Sequence, residues 1–206
     1  MRPVVRWHED DALPPYLVHR VMQICHRWKD CHPSTAAAAV DGRTRWNAPV
    51  IVIDGRSGSG KTSLAHQLAA ALQAQDPSDV QVLHLDSWYP GWDGLEEGTR
   101  ITEQLLTGAR GSWTQWDWVR NRPGRTVSLI PGRALVVEGA GALTGSTAAV
   151  SDLRIWVDAD PRQRYRRAMD RDGDSYRPWW QMWSRQEERH LARHRPDLLA
   201  DLVVWT

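Results

Sequence analysis

Gly55-Arg56-Ser57-Gly58-Ser59-Gly60-Lys61-Thr62 carries the spacing G-x-x-x-x-G-K-[ST]. That spacing suits one task, the holding of a polyphosphate. The glycines let successive backbone N–H groups turn inward as an anion nest at a helix N-terminus. The Lys61 ammonium adds a point charge near the β- and γ-phosphates, and the Thr62 hydroxyl offers an oxygen to Mg²⁺. The nucleotide-holding set is Gly55, Ser57, Gly58, Ser59, Gly60, Lys61, Thr62 and Ser63. Two acids, Asp86 and Glu138, each close an apolar run further along the chain. Carboxylates at neighbouring strand ends beside a phosphate loop can order the water on Mg²⁺ and accept a proton. Arg162, Arg164, Arg166, Arg167 and Arg171 crowd one helical stretch, with Gly173 after it as a place to bend. They form either a solvated helix face or a lid whose guanidinium forks meet a transferring phosphoryl group.

The elements that must position these groups follow from the hydrophobic pattern. Val50–Ile53 predicts a strand ahead of the loop and 61–75 the helix after it. Further strands are expected at Val80–Leu85, Ala134–Val137, Leu153–Val157 and Leu202–Trp205. Helices are expected over 161–171, with Asp160 as N-cap and Pro161 in the first turn, and over 180–194. Strands alternating with helices predict an α/β fold of the P-loop NTPase type. Five mostly parallel strands would carry helices on both faces and an arginine-bearing lid. Ligands in such sheets bind at the C-terminal strand ends. Residues 1–47 are expected to form an N-terminal helical arm and 48–206 the domain proper. Residues 1–15 are polar and proline-punctuated; Leu17, Val21, Ile24 and Trp28 then recur at helical spacing, and Pro33 stops that helix. Residues 33–48 read as a loop with an alanine run, and Asp76-Pro77-Ser78 as a break.

Bulk properties narrow the choice. The 206 residues suffice for one domain with a real core. Lys and Arg number 26 against 25 Asp and Glu, which argues against a strongly electrostatic nucleic-acid or membrane binder. Cys25 and Cys31 lie six apart, a spacing that suits two thiols in a reducing compartment and not a C-x-x-C site. No stretch nears the ~20 apolar residues of a membrane span, so the protein is expected to be soluble and cytoplasmic. There are 13 Trp and no Phe, and several of these rings should fill half-buried pockets where the N–H finds a partner.

From about Val50 to the C-terminus the ordered set resembles the uridine kinase–phosphoribulokinase family of P-loop kinases. The shared marks are the G-x-S-G-S-G-K-T loop, Asp86-Ser87-Trp88-Tyr89 after the second strand, and Trp116-Asp117-Trp118 before the third. Val136 to Gly139 matches a V-x-x-E-G strand end. Asp152 to Asp158 and Arg167 to Asp172 match the strand and the arginine lid that follow, the lid with one extra residue in its spacing, and Ala200 to Val203 matches a closing A-D-L-V strand. The resemblance implies ATP and Mg²⁺ as cofactors and a small-molecule hydroxyl as acceptor. It implies Lys61, Asp86, Arg167 and Arg171 as catalytic residues, with Asp86 as base, and Thr62 and Glu138 as the metal-holding pair. The family's H-x-R after the aromatic-Asp-aromatic segment is Arg120-Asn121-Arg122 here, so the histidine that helps hold the nucleoside is absent.

The acceptor pocket is expected from Trp88, Tyr89, Trp116, Asp117, Arg120 and Arg122, with Trp92 and Trp113 nearby. Aromatic faces suit a nucleobase or nonpolar ring; the arginines suit an anionic acceptor. Three classes stay open. They are a small-molecule kinase, a nucleotide-binding switch or regulatory ATPase with no acceptor, and a nucleic-acid-end kinase. No [NT]-K-x-D guanine-reading motif is present, and ATP is favoured by the family likeness. The expected partners are ATP and the acceptor, without nucleic acid or membrane, with a homo-oligomer open.

Overall fold

The computed structural model describes residues 2–31, 48–75 and 80–206. Its central strand is β2 (Val50–Gly55), buried along its whole length. Ile51 and Ile53 face one core with Leu64, Leu68 and Leu72, while Val50 and Val52 face another with Leu83, Leu135 and Val137. A strand covered on both sides has no need of polar alternation, which is why its sequence is a continuous apolar run. Each such side chain contributes about 1.5–3 kcal/mol on burial.

The sheet runs β1-β8-β7-β2-β6-β3 and every pairing in it is parallel. Its other members are β3 (Val80–His84), β6 (Ala134–Glu138), β7 (Leu153–Asp158), β8 (Leu202–Trp205) and β1 (Val4–Arg6). The expected five strands are therefore six. Val4, Val5 and Arg6 pair with Val203, Val204 and Trp205 at the sheet edge. Three residues are too few to show a period, so β1 has no signature in the sequence.

Helix α1 (Pro15–Cys31) lies against α2 (Lys61–Gln75) and buries Leu17, Val21 and Ile24 in the same core as Leu64 and Leu68. Residues 4–6 and 15–31 thus share the sheet and the core of the phosphate-loop segment. The alanine run, Pro33 and the break at 76–78 lie outside the described residues.

Helix α5 (Pro161–Asp172) starts at Asp160, whose side chain accepts from the amides of Arg162 and Gln163. Helix α6 (Trp180–His194) spans the expected residues. Further elements were not anticipated. The stretch between Trp92 and Trp113 contains α3 (Leu95–Thr107), closed by Gly108 at φ 72°. An antiparallel hairpin, β4 (Ser112–Asp117) and β5 (Arg122–Ser128), stands apart from the main sheet. Short helices α4 (Gly145–Val150) and α7 (Pro196–Leu199) complete the chain. Among the described residues no helix is long and apolar enough to cross a membrane.

Candidate active site

The phosphate loop joins β2 to α2. Gly58 and Gly60 sit at φ 75° and 86°, a region that L side chains rarely adopt. A Cβ on Gly58 would also stand 2.1 Å from the Arg164 carbonyl oxygen, so helix α5 packs directly on the loop. The first amides of α2 have no intrahelical acceptor and are left for a ligand. Lys61 donates from Nζ to the Arg56 carbonyl at 3.1 Å and is largely buried. The buried Ser59 hydroxyl has no partner among the described residues. Ser63 turns away and donates to Glu9 at 3.0 Å.

Three side chains outside the loop brace it. Glu187 of α6 accepts from the Ser57 amide at 2.6 Å and from Arg56 Nε at 2.9 Å. Tyr176 donates to Ser57 Oγ at 2.9 Å, and burial pushes its phenol up. Asp54, the last polar residue of β2, is fully buried and accepts from four donors. These are the amides of Gly55 (2.6 Å), Gly141 (3.0 Å) and Leu143 (2.9 Å), and His190 Nε2 (3.0 Å).

A cleft of about 740 Å³ opens beside the loop, and Thr62, His84, Asp86, Glu138 and Arg171 all face it. Thr62 Oγ1 donates to Glu138 Oε1 at 3.0 Å, and His84 Nδ1 lies 2.7 Å from the same oxygen. Glu138 is buried, which raises its carboxyl, but His84, Lys61 and Thr62 together hold it below its usual range. The Glu138 carboxylate holds the His84 imidazole above its ordinary value. A hydroxyl and a carboxylate beside an ammonium fit a hard, oxygen-seeking cation such as Mg²⁺. Asp86 lies in a 3-10 turn (Leu85–Ser87) after β3, reachable from the cleft. Its side chain is exposed at the cleft, but the protein atoms crowded around it raise its carboxyl and the Glu138 charge raises it further; Lys61, Arg171 and His84 oppose both.

Other expected residues are placed differently. Arg171 enters the cleft, held by the Asp172 carboxylate at 2.6–3.0 Å. Arg167 does not line it; it donates to Thr206 Oγ1 at 2.7 Å, next to Ser59. Trp88 is 2% exposed and belongs to the core, with Nε1 donating to the Gly98 carbonyl and its ring edge-on to Trp113. The ring fills space in the core, and Trp88→Ala should cost about 3–5 kcal/mol in a urea titration. Tyr89 is also buried and donates to the Ala140 carbonyl at 2.6 Å, while one wall of the ring borders the cleft.

Trp116, on β4, packs beside Gly91 and does not line the cleft. Asp117 caps the hairpin turn, accepting from the Arg120 amide and guanidinium, both at 2.9 Å. Arg120 and Arg122 are exposed and do not line the cleft. Trp118 takes that place, with Val119 exposed at the rim, and Trp118 Nε1 donates to the Asp86 carbonyl at 2.7 Å. The remaining wall is Trp92, Tyr176 and Trp183, with Trp92 stacked on Tyr176 at 5.1 Å. Sequence reasoning singled out neither Trp118 as a wall residue nor Asp54, Glu187 and His190. For Asp54 a signal existed: an acid ending a doubly covered strand must find buried donors.

A phosphate loop after the central strand, with acids at adjacent strand ends, defines a P-loop nucleoside-triphosphate-binding domain with the sheet of the P-loop kinases. A model of the AAA domain family matches residues 51–192, more than half of the chain, and the chain belongs to that family. A curated uridine kinase of Lactobacillus helveticus (strain DPC 4571) is 27% identical over 145 residues, covering 60% of this chain and 68% of that protein. A solved structure described as a possible uridine kinase from Bacillus stearothermophilus superposes with a TM-score of 0.53 at 23% identity, covering 92% of this chain and 99% of that one. A fructose transport system kinase candidate from Silicibacter sp. TM1040 also gives 0.53, at 19% identity, over 90% and 98% of the two chains. The uridine kinase likeness read from the sequence agrees with these relatives.

Proposed function

We propose that the protein transfers the γ-phosphoryl group of ATP to a hydroxyl of a small molecule. The observation that carries this reading is one cleft in which Asp86, Arg171 and the Thr62–Glu138 pair meet beside the phosphate loop. Lys61 and the loop amides bind the β- and γ-phosphates. Thr62 and Glu138 are the residues that would hold Mg²⁺, which when bound neutralises charge on the phosphate oxygens. Asp86 takes the acceptor's hydroxyl proton as that oxygen bonds to phosphorus and the bond to the ADP oxygen breaks. Arg171 offers a guanidinium to the transferring group. Positioning and electrostatics supply the rate, because charge in the transition state is spread over phosphoryl oxygens.

The aromatic wall favours an acceptor with a ring or apolar face. With Arg120 and Arg122 outside the cleft, an anionic acceptor loses the two cations that would have favoured it. Arg120→Ala and Arg122→Ala should therefore leave the acceptor KM within about 2-fold, whereas Trp92→Ala should raise it by about 10-fold or more. Steady-state kinetics, with melting temperatures alongside, check both.

The activity itself is tested by ADP release from ATP against a panel of nucleosides, nucleotides, sugars, vitamins and oligonucleotides. Stimulation by a small alcohol is expected. Hydrolysis that no alcohol stimulates would replace the kinase by a regulatory ATPase, and stimulation by oligonucleotide ends would move the acceptor to nucleic acid.

A further inference from the structure

A second groove, of about 720 Å³, lies between α5 and α6 and shares no lining residue with the acceptor cleft. Arg56, Arg162, Arg164, Arg166 and Arg177 line it, against Asp170 and Glu188 alone as acids. The chain as a whole has a net charge of only +1, so this excess is local. Arg56 and Arg177 have carboxylate partners, whereas Arg162 and Arg166 make no ion pair among the described residues.

Arg164 is the most telling member. Its side chain is 6% exposed, yet its nearest carboxylate, Asp158, is 3.9 Å away. Its other contacts are carbonyl oxygens, of Ala159 at 3.3 Å and Ser57 at 3.5 Å. A solvated helix face does not bury a guanidinium with so little compensation. Burial, and then the charge of Arg56, make its ionised form harder to hold. Beside these cations Tyr165 is 39% exposed, with its ring edge-on to Trp180 at 5.3 Å.

We propose that this groove is a second binding site, for an oligophosphate-bearing small molecule of the nucleotide class. Guanidinium forks match phosphate oxygens in pairs, and an exposed ring beside them offers a face to a base. The volume is that of a site for one small molecule. The site also touches the phosphate loop. Arg56 lines the groove and binds Glu187, whose other oxygen accepts from the Ser57 amide. A phosphate that draws Arg56 toward the groove loosens that brace, so occupancy changes the affinity of the loop for ATP.

The test is calorimetric titration with inorganic tripolyphosphate, with the phosphate loop filled by a saturating non-hydrolysable ATP analogue and Mg²⁺. One further site is expected, and Arg162→Glu with Arg166→Glu should weaken it at least ~10-fold, with affinity falling steeply as salt rises. Both residues are exposed, so circular dichroism should show the fold intact. The same binding should persist in Lys61→Ala protein, where the loop lacks its lysine; that arm separates failure of the groove from failure of the kinase reading. Absence of binding in both backgrounds overturns the proposal, as does a double variant that binds unchanged. A single-stranded oligonucleotide that binds more tightly than tripolyphosphate would overturn the small-molecule class.

Discussion

Asp86→Asn is expected to lower turnover at least ~10²-fold while leaving the affinity for a non-hydrolysable ATP analogue within about 2-fold. The asparagine keeps the shape but cannot take a proton. Trp118 still holds the backbone here, because its indole donates to the Asp86 carbonyl and not to the carboxylate. The pH dependence follows from the same residue. Only the ionised carboxylate is a base, and the protein crowded around it and the Glu138 charge raise its proton affinity. The acid limb of the rate should therefore lie above the ~3.9 of an ordinary aspartate. The stability linkage has the matching sign. A folded-state value above the unfolded one favours the fold below the unfolded value, and that favour is lost as pH rises through the folded one. At pH 7 the ionised carboxylate therefore opposes the fold, and Asp86→Asn should melt no lower than the parent protein. Loss of turnover together with an equal loss of analogue affinity would make Asp86 a metal-holding or structural residue and remove it as the base.

Asp54→Ala is expected to cost about 3–5 kcal/mol in urea unfolding. This carboxylate accepts from three amides and from His190, all in the interior. Removing it leaves those donors without the acceptor around which they are arranged, and each buried unsatisfied group carries a penalty of about 1–3 kcal/mol. The functional consequence is local as well. The same carboxylate fixes the first amide of the phosphate loop, the turn after β6 and helix α6, so analogue affinity should fall even where the variant is folded. Asp54→Asn should lie between parent and alanine variant, since one of its two side-chain atoms still accepts. A cost below about 1 kcal/mol for the alanine variant would show that water or relaxation replaces the carboxylate.

Much of this was legible because phosphate binding is a local problem. Its glycines, lysine and hydroxyl fall within eight consecutive residues, between an apolar strand and a helix whose period is plain. The parallel order of the sheet and the acids at its strand ends follow from the same alternation. The elements that left no trace are those whose existence depends on remote partners. Strand β1 has three residues and takes its shape from β8, nearly two hundred positions away. The hairpin of β4 and β5 turned Asp117, Arg120 and Arg122 outward and Trp118 inward, a choice that composition does not express. Arg167 and Arg171 looked equivalent, yet one meets the C-terminal residue and the other the cleft.

The chain's own order of residues thus specified the nucleotide cradle, since nearly all of its donors belong to one short segment. The aromatic wall of the cleft was settled by packing, because Trp92, Trp118 and the pair Tyr176 and Trp183 come from three separated segments. Which ring faces the cleft and which fills the core depends on how helices and hairpin close over the sheet, and burial of apolar area does not discriminate one tryptophan from another until those neighbours are in place.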